Sequence, residues 1–297
     1  MGALTVRGTR IATAPPWFPA SGSRLHHSHR NPMKSEHIKR LNQAGWDGMA
    51  DSYQTTTAIS VDDVHYGPLG PGERELGLLD EVKGSRVLEL ACGAAQNSIA
   101  LAKQGAVVTA MDISKKQLNH ARRLVAREGV GVDLLRGDME SLGMFRDGIF
   151  DLVLSSFGWE YVPDLGQCLE ECARVMAGGG TLIVCTVHPL AAFEWDEESR
   201  DLRVFDYFRL PVEVWPEPEH GQEGGATFFH TIEEVFGLLT ASGFAVEQIL
   251  EPSPYPITEM SESELQIVPY RGADWERQYE RMSRVPFTII YTARKGS

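Results

Sequence analysis

Three carboxylates stand at the ends of apolar runs in this chain of 297 residues. Glu89 lies inside VLELACGAAQ, Asp112 closes AVVTAMD, and Asp138 closes VDLLRGD. Each run reads as a short buried strand, where a carboxylate is costly unless it is paired or hydrogen-bonded. Glu89 could be compensated by the amides of a neighbouring loop or by a ligand with fixed positive charge. Asp112 follows it by 23 residues, a spacing at which an acid ending a second strand can take both hydroxyls of a ribose. Asp138, in GDME, is placed to accept from an exocyclic amine. A nucleoside carrying a cation would give all three acids one partner.

The turn after Glu89 is built from small residues. Gly93 lets backbone approach a ligand with no Cβ in the way, and Ala91, Ala94 and Ala95 keep the rest shallow. A pyrophosphate reader would use G-x-G-x-x-G to set phosphates on a helix N-terminus. The frame here reads A-C-G-A-A-Q, which weakens a nicotinamide-binding oxidoreductase reading.

These residues need a scaffold that brings strand ends together. Strands are expected at 86–91, 106–112, 132–138, 150–157 and 181–187, with helices over about 97–104, from Ser114 to Gly129, and over 164–176. Ser114 with Gln117 and Thr231 with Glu234 have the spacing of capping boxes. AVEQILEP and PFTIIYTARK supply a sixth and a seventh strand. Strands this apolar, alternating with helices, predict an α/β fold with a doubly wound, seven-stranded, mostly parallel sheet. Ligands of such sheets bind beyond the carboxyl ends of the strands.

Residues 33–83 are expected to form an N-terminal helical lid, with Trp46, Met49, Ala50 and Tyr53 on one helix face. ERELGLLDEVKG sets Leu76, Leu79 and Val82 on one side and ends at Gly84, a good C-cap residue. Residues 84–297 form the main domain, with an aromatic and acidic cap inserted at 189–229 after strand five. Residues 1–32 carry four arginines, three histidines and no acid. They read as a disordered extension or a targeting segment.

The bulk composition excludes several classes. A net charge of −13 argues against a nucleic-acid partner, whose affinity comes from clustered Lys and Arg. No apolar run is long enough to span a membrane. Cys92, Cys168, Cys172 and Cys185 fall in core elements rather than at framework spacing, which fits a reducing, cytoplasmic setting. Cys168 and Cys172 sit at i, i+4, but no His or Cys cluster completes a tetrahedral set, so no metal is expected.

Together the motifs resemble class I S-adenosylmethionine-dependent methyltransferases of the small-molecule type. The run VLELACGAAQNSIALAKQGAVVTAMDIS resembles the first motif and its sequel, GDMESL and FDLVLSSFGWEYVPDL the third- and fourth-strand motifs, and LEECARVMAGGGTLIV the helix, turn and fifth strand. The resemblance covers about residues 84–187. The family usually shows glycine where Ala91 and Ala95 stand.

What the resemblance implies is S-adenosylmethionine as cofactor and S-adenosylhomocysteine as product. The 91–96 turn, with Ala91, Gly93 and Gln96, would wrap the methionine moiety beside Glu89 and Gln117. Asp112 would hold the ribose with Ile113 against the adenine, framed by Gly137, Asp138 and Met139. Ser155 and Phe157 would line the pocket after strand four, and Tyr53 would close it from the lid helix.

Methyl transfer is an in-line displacement from a sulfonium, so orientation can supply most of the acceleration, on the order of 7–11 kcal/mol at best. A base matters only where the acceptor must lose a proton. Glu160, Tyr161 and His188, where strand tips meet the cap, are the catalytic candidates. Trp159, Tyr207, Phe208 and His230 are the substrate candidates, since aromatic rings attract a sulfonium by roughly 0.5–2 kcal/mol. SSFG stands where amide and exocyclic-amine methyltransferases carry [ND]PP[YFW]. The expected partner is a small, partly apolar acceptor, with a homodimer as the candidate assembly. A tRNA or protein methyltransferase and a non-catalytic cofactor-binding regulator are the alternatives.

Overall fold

The computed structural model describes residues 35–216 and 223–296. The expectation for residues 1–32 lies outside that range. Chain order is α1 (Ser35–Thr56), β1 (Arg86–Leu90), α2 (Gln96–Lys103), β2 (Val107–Asp112), α3 (Lys115–Glu128), β3 (Val132–Arg136), β4 (Phe150–Ser156), α4 (Leu165–Val175), β5 (Met176–Val187), α5 (Ile232–Ala241), β6 (Phe244–Leu250) and β7 (Thr288–Lys295). The seven strands form one sheet in the order β6-β7-β5-β4-β1-β2-β3. All pairings are parallel except those of β7, which runs antiparallel to β5 and β6.

Strand alternation explains why the strand sequences are so uniformly apolar. Leu88, Leu90, Val153, Leu182 and Val184 pack on one face under α4 and α5. Val87, Leu152, Leu154, Ile183 and Cys185 face the other way, with Ala100 and Leu101 of α2. Glu89 points to this second side. Ser98, in the first turn of α2, donates to its Oε2 from the backbone amide at 2.9 Å and also from its hydroxyl. Ala95, at the N-cap of α2, has no side-chain acceptor to offer, so the buried strand acid takes that role from below.

The sequence expectations for local structure fail in identifiable places. The 73–84 segment is helical only over Glu73–Leu76. Gly77 turns left-handed at φ 60°, and the Glu73 carboxylate accepts from the amides of Leu78 and Leu79, which turns the chain out of the helix. Ser114 Oγ accepts from Gln117 N at 3.1 Å, but the Gln117 side chain reaches Gln54 instead of closing the box. Thr231 and Glu234 form the complete reciprocal cap.

The cap comprises two short antiparallel ribbons, Glu194–Asp196 with Asp201–Arg203 and Val212–Pro216 with Glu223–Phe228. A second insertion, between β6 and β7, returns to the N-terminal region: Tyr270–Gly272 pairs antiparallel with Thr57–Ile59. Arg281 ties the two insertions together. It is buried and donates to the carbonyls of Ala191 at 2.9 Å and Phe193 at 3.0 Å.

Candidate active site

A cleft of about 1370 Å³, counted to its open mouth, lies over the carboxyl ends of β1, β2, β4 and β5. Of the residues singled out for the cofactor, Tyr53, Glu89, Ala91, Gly93, Gln96, Asp112, Ile113, Gln117, Gly137, Asp138, Met139 and Phe157 all line it. Ser155 does not. Its hydroxyl is fully buried beneath Gly158, where an added Cβ would come within 3.0 Å of Ser155 Oγ.

The three acids meet at this cleft in different states. Asp112 is buried and accepts from Gly93 N at 2.8 Å and Ser114 N at 2.7 Å. Those two bonds leave lone pairs on both oxygens. Burial pushes its carboxyl up to about 6, and pushes that of Glu89 up to about 8 against the Ser98 bonds. Asp138 is not free as expected. Lys39 of α1 reaches its Oδ2 at 2.8 Å and Glu140 Oε2 at 2.6 Å, while Glu140 N donates to Oδ1. Burial alone would lower the Lys39 ammonium, but the hydrogen bonds to the two carboxylates raise it on balance.

The turn itself holds its shape with alanines. Ala91 at φ 53° and Ala95 at φ 62° are left-handed, as is Gly93 at φ 55°. The methyl of Ala91 fills the space above Gly158, where an added Cβ would collide with it. Gly93 has the open side: a Cβ there meets nothing nearer than Gln117 Oε1 at 3.9 Å. Asp47 of α1 accepts from Ser114 Oγ at 2.7 Å, and Gln54 bridges Gln96 and Gln117 at 2.9 and 3.0 Å. Helix α1 therefore covers the turn.

The far half of the cleft is aromatic. Tyr53 and Tyr161 flank Trp46 edge-on, and Tyr270 and Trp275 from the second insertion, edge-on to each other, line the same half. The hydroxyls of Tyr53 and Tyr270 share a hydrogen bond. His65, also on the cleft wall, packs edge-on against Tyr270 and is held neutral, its pKa lowered to about 3 by burial. Lys39, Tyr270, Trp275, Phe287 and Thr227 were not anticipated as site residues. Trp275 and Tyr270 sit in a stretch with no regular pattern, and only the long-range pairing to residues 57–59 carries them to the cleft.

Among the catalytic candidates, Glu160 and Tyr161 line the cleft and His188 does not. His188 caps the short helix Pro189–Ala192. Its Nδ1 accepts from Leu190 N at 3.1 Å, which leaves Nε2 protonated to donate to Glu251 Oε1 at 2.7 Å. Both nitrogens are thus engaged and the ring is buried. His188→Ala is expected to cost about 1–2 kcal/mol of folding stability in denaturant titration and to leave cofactor affinity intact. Lost turnover at unchanged stability would restore it to the catalytic set.

The substrate candidates do not line the cleft either. On the tight turn Trp159–Tyr161 successive side chains diverge, so Trp159 enters the core beneath α4 while its two neighbours face the cleft. His230 shares a small separate cavity with Trp159, behind Thr186. Tyr207 and Phe208 lie in the link between the two cap ribbons, and Phe208 is 87% exposed. The cap residues that meet the cleft are Ala191, Thr227 and Phe229.

Residues 88–184 match the methyltransferase domain family. Over that third the chain is similar to methyltransferase domains, and its fold is that of solved S-adenosylmethionine-dependent methyltransferases. It is 36% identical over 113 residues to a ubiquinone biosynthesis O-methyltransferase of Xylella fastidiosa, covering 38% of this chain and 46% of that protein. Over 154 residues it is 31% identical to a demethylmenaquinone methyltransferase of Clavibacter sepedonicus, covering 46% and 62%. The chain thus spans about half to three fifths of these relatives' length. A crystal structure of an S-adenosylmethionine-dependent methyltransferase from Mesorhizobium loti superposes with a TM-score of 0.58 at 24% identity, over 74% of this chain and 94% of that one. The methyltransferase segment ends before the cap and the second insertion, so the aromatic half of the cleft is built largely outside it. No described helix is long and apolar enough to cross a membrane.

Proposed function

We propose that this protein transfers a methyl group from S-adenosylmethionine to a small-molecule acceptor. One observation carries the reading: a single cleft joins the strand-tip acids of β1 and β2 to an aromatic chamber walled by α1, the cap and the second insertion. The residues fit the cofactor. Asp112 has acceptor capacity left for ribose hydroxyls, Gly93 leaves room for close approach, and Glu89 and Asp112 lack any cation among the described residues to offset them.

When bound, the cofactor supplies an electrophilic methyl on a cationic sulfur. The chain's own part is orientation and exclusion of water. Asp112 anchors one end, Gln54, Gln96 and Gln117 close over the turn, and Tyr53, Tyr161 and Tyr270 dry the region where an acceptor would sit. The acidic, aromatic approach suits a small molecule better than a polyanion.

Two measurements test this. Calorimetry should show S-adenosylmethionine and S-adenosylhomocysteine binding with about micromolar affinity, near −8 kcal/mol. Incubation of a metabolite extract with a labelled methyl donor should then label a low-molecular-mass product. Binding with no product under any extract would leave a cofactor-binding regulator, and no binding would remove the reading altogether.

A further inference from the structure

The aromatic chamber holds a carboxyl group with no assigned counterpart. Glu160 is 1% exposed, and its Oε2 accepts from Thr186 Oγ1 at 3.0 Å. Its Oε1 is buried and has no hydrogen-bond partner among the described residues. Thr227 Oγ1, 2% exposed on the cap strand that packs against the Trp159–Tyr161 turn, is likewise unpartnered. Both residues line the cleft. An orphaned buried carboxyl oxygen is costly, and two such acceptors on one wall point to a donor that comes with the ligand.

The charge of that donor follows from the surroundings. The basic side chains lining the cleft, among the described residues, are Lys39 and His65. Lys39 is committed to Asp138 and Glu140, and His65 is neutral. The titratable groups that interact with Glu160 are Tyr53, Tyr161 and Cys185, none of them a cation. Tyr53 and Tyr161 interact with the carboxyl and line the cleft together with Tyr270 and Trp275, and the face of such a ring attracts a cation. A neutral phenol or alcohol would satisfy the hydrogen bond and leave the charge unbalanced.

Resting on the small-molecule reading above, we infer that the acceptor is a molecule with an aromatic or apolar body and a protonated amine, its ammonium held by Glu160 Oε1 with Thr227 Oγ1 as second acceptor. The amine is here a recognition group, and the inference does not depend on which atom is methylated. Burial pushes the Glu160 carboxyl up to about 7, so ionisation at neutral pH is readily drawn out by an incoming cation.

The test uses the full chain saturated with S-adenosylhomocysteine, with phenethylamine, phenethyl alcohol and para-cresol as probes read by calorimetry. The amine should bind about tenfold or more tightly than either neutral probe. Glu160→Gln, which keeps shape and can still accept from Thr186, should erase that preference while S-adenosylhomocysteine affinity and its thermal stabilisation stay within about twofold of wild type. Thr227→Val should weaken the amine by a smaller factor. Equal or tighter binding of the alcohol or the cresol overturns the inference, as does absence of amine binding into the millimolar range. If Glu160→Gln instead weakens S-adenosylmethionine and leaves the amine preference, the carboxylate serves the cofactor and the inference falls. Failure of S-adenosylhomocysteine to bind wild type is a different result, which strikes at the proposed function.

Discussion

Asp112→Ala is expected to weaken S-adenosylmethionine binding by about 1.5–3 kcal/mol for each charged hydrogen bond lost, roughly ten- to more than a hundredfold in affinity per bond. Two effects combine in that figure. The substitution removes the acceptor for the ribose, and it also releases Gly93 N and Ser114 N, which the carboxylate now holds. Asp112→Asn separates them, since an amide keeps one oxygen for the turn and loses the charge. Its affinity should fall between wild type and alanine. The acid also sets a pH dependence. Because burial raises Asp112 to about 6 and Glu89 to about 8, the empty protein carries protons there that a bound cation displaces. The complex then binds fewer protons than the free protein, so affinity rises with pH, levelling off above about 6 for the Asp112 contribution and above about 8 for that of Glu89. S-adenosylhomocysteine, without the sulfonium, should show the weaker dependence. Affinity for S-adenosylmethionine unchanged in Asp112→Ala would remove the strand-tip acids as its binding site.

The half of the molecule that carries these acids was legible in the sequence, because its physics is local. Runs such as VLELA and FDLVLSSF must be covered on both faces, and their alternation with capped helices leaves few topologies. The sheet has the expected seven strands, with β5 beginning at Met176 rather than after the glycines. Ala91 and Ala95, which stand where glycine is usual, adopt the left-handed conformation all the same. Their side chains are small enough to bear it at about 1–2 kcal/mol each, and the turn keeps its form.

The acceptor half was legible only in part. Glu160 and Tyr161 were visible because they follow a strand tip directly. His188 follows one too, but its ring turns back to cap the chain that leaves β5. Position at a strand end therefore does not decide whether a side chain faces the ligand or the backbone. The cap's most aromatic stretch, around Tyr207 and Phe208, points away, whereas Thr227, Tyr270 and Trp275 reach the cleft through pairings between residues far apart in sequence. No periodicity encodes such contacts. Lys39 was hidden for a further reason: its partners, Asp138 and Glu140, lie about a hundred residues away in sequence.

Helix α1 offers a paired test of how the cleft is closed. Gly45 and Gly48 are one turn apart on it. Gly48 is exposed, with nothing within 4 Å of an added Cβ, so Gly48→Ala should raise stability by about 0.5–1 kcal/mol through helix propensity alone. Gly45 has the same propensity to gain, but a Cβ there would strike the Gly224 carbonyl and stand 2.5 Å from the ring of Trp215. Trp215 is buried and Gly225 backs it on the cap strand, so neither side can yield cheaply. Overpacking of this kind costs typically 1–3 kcal/mol, enough to outweigh the propensity gain and reverse the sign. The displacement would also pull Asn42 from its bonds to Ala226 N at 2.6 Å and Tyr161 O at 2.9 Å, the clamp between α1, the cap and the Glu160 turn. Gly45→Ala should therefore lower the unfolding midpoint and weaken cofactor binding, because α1 also brings Lys39, Tyr53 and Gln54 to the cleft. Denaturant unfolding and calorimetry of the two variants decide it. Equal stabilisation by both would mean that α1 does not rest on the cap ribbon in solution, and that the aromatic chamber is open on that side.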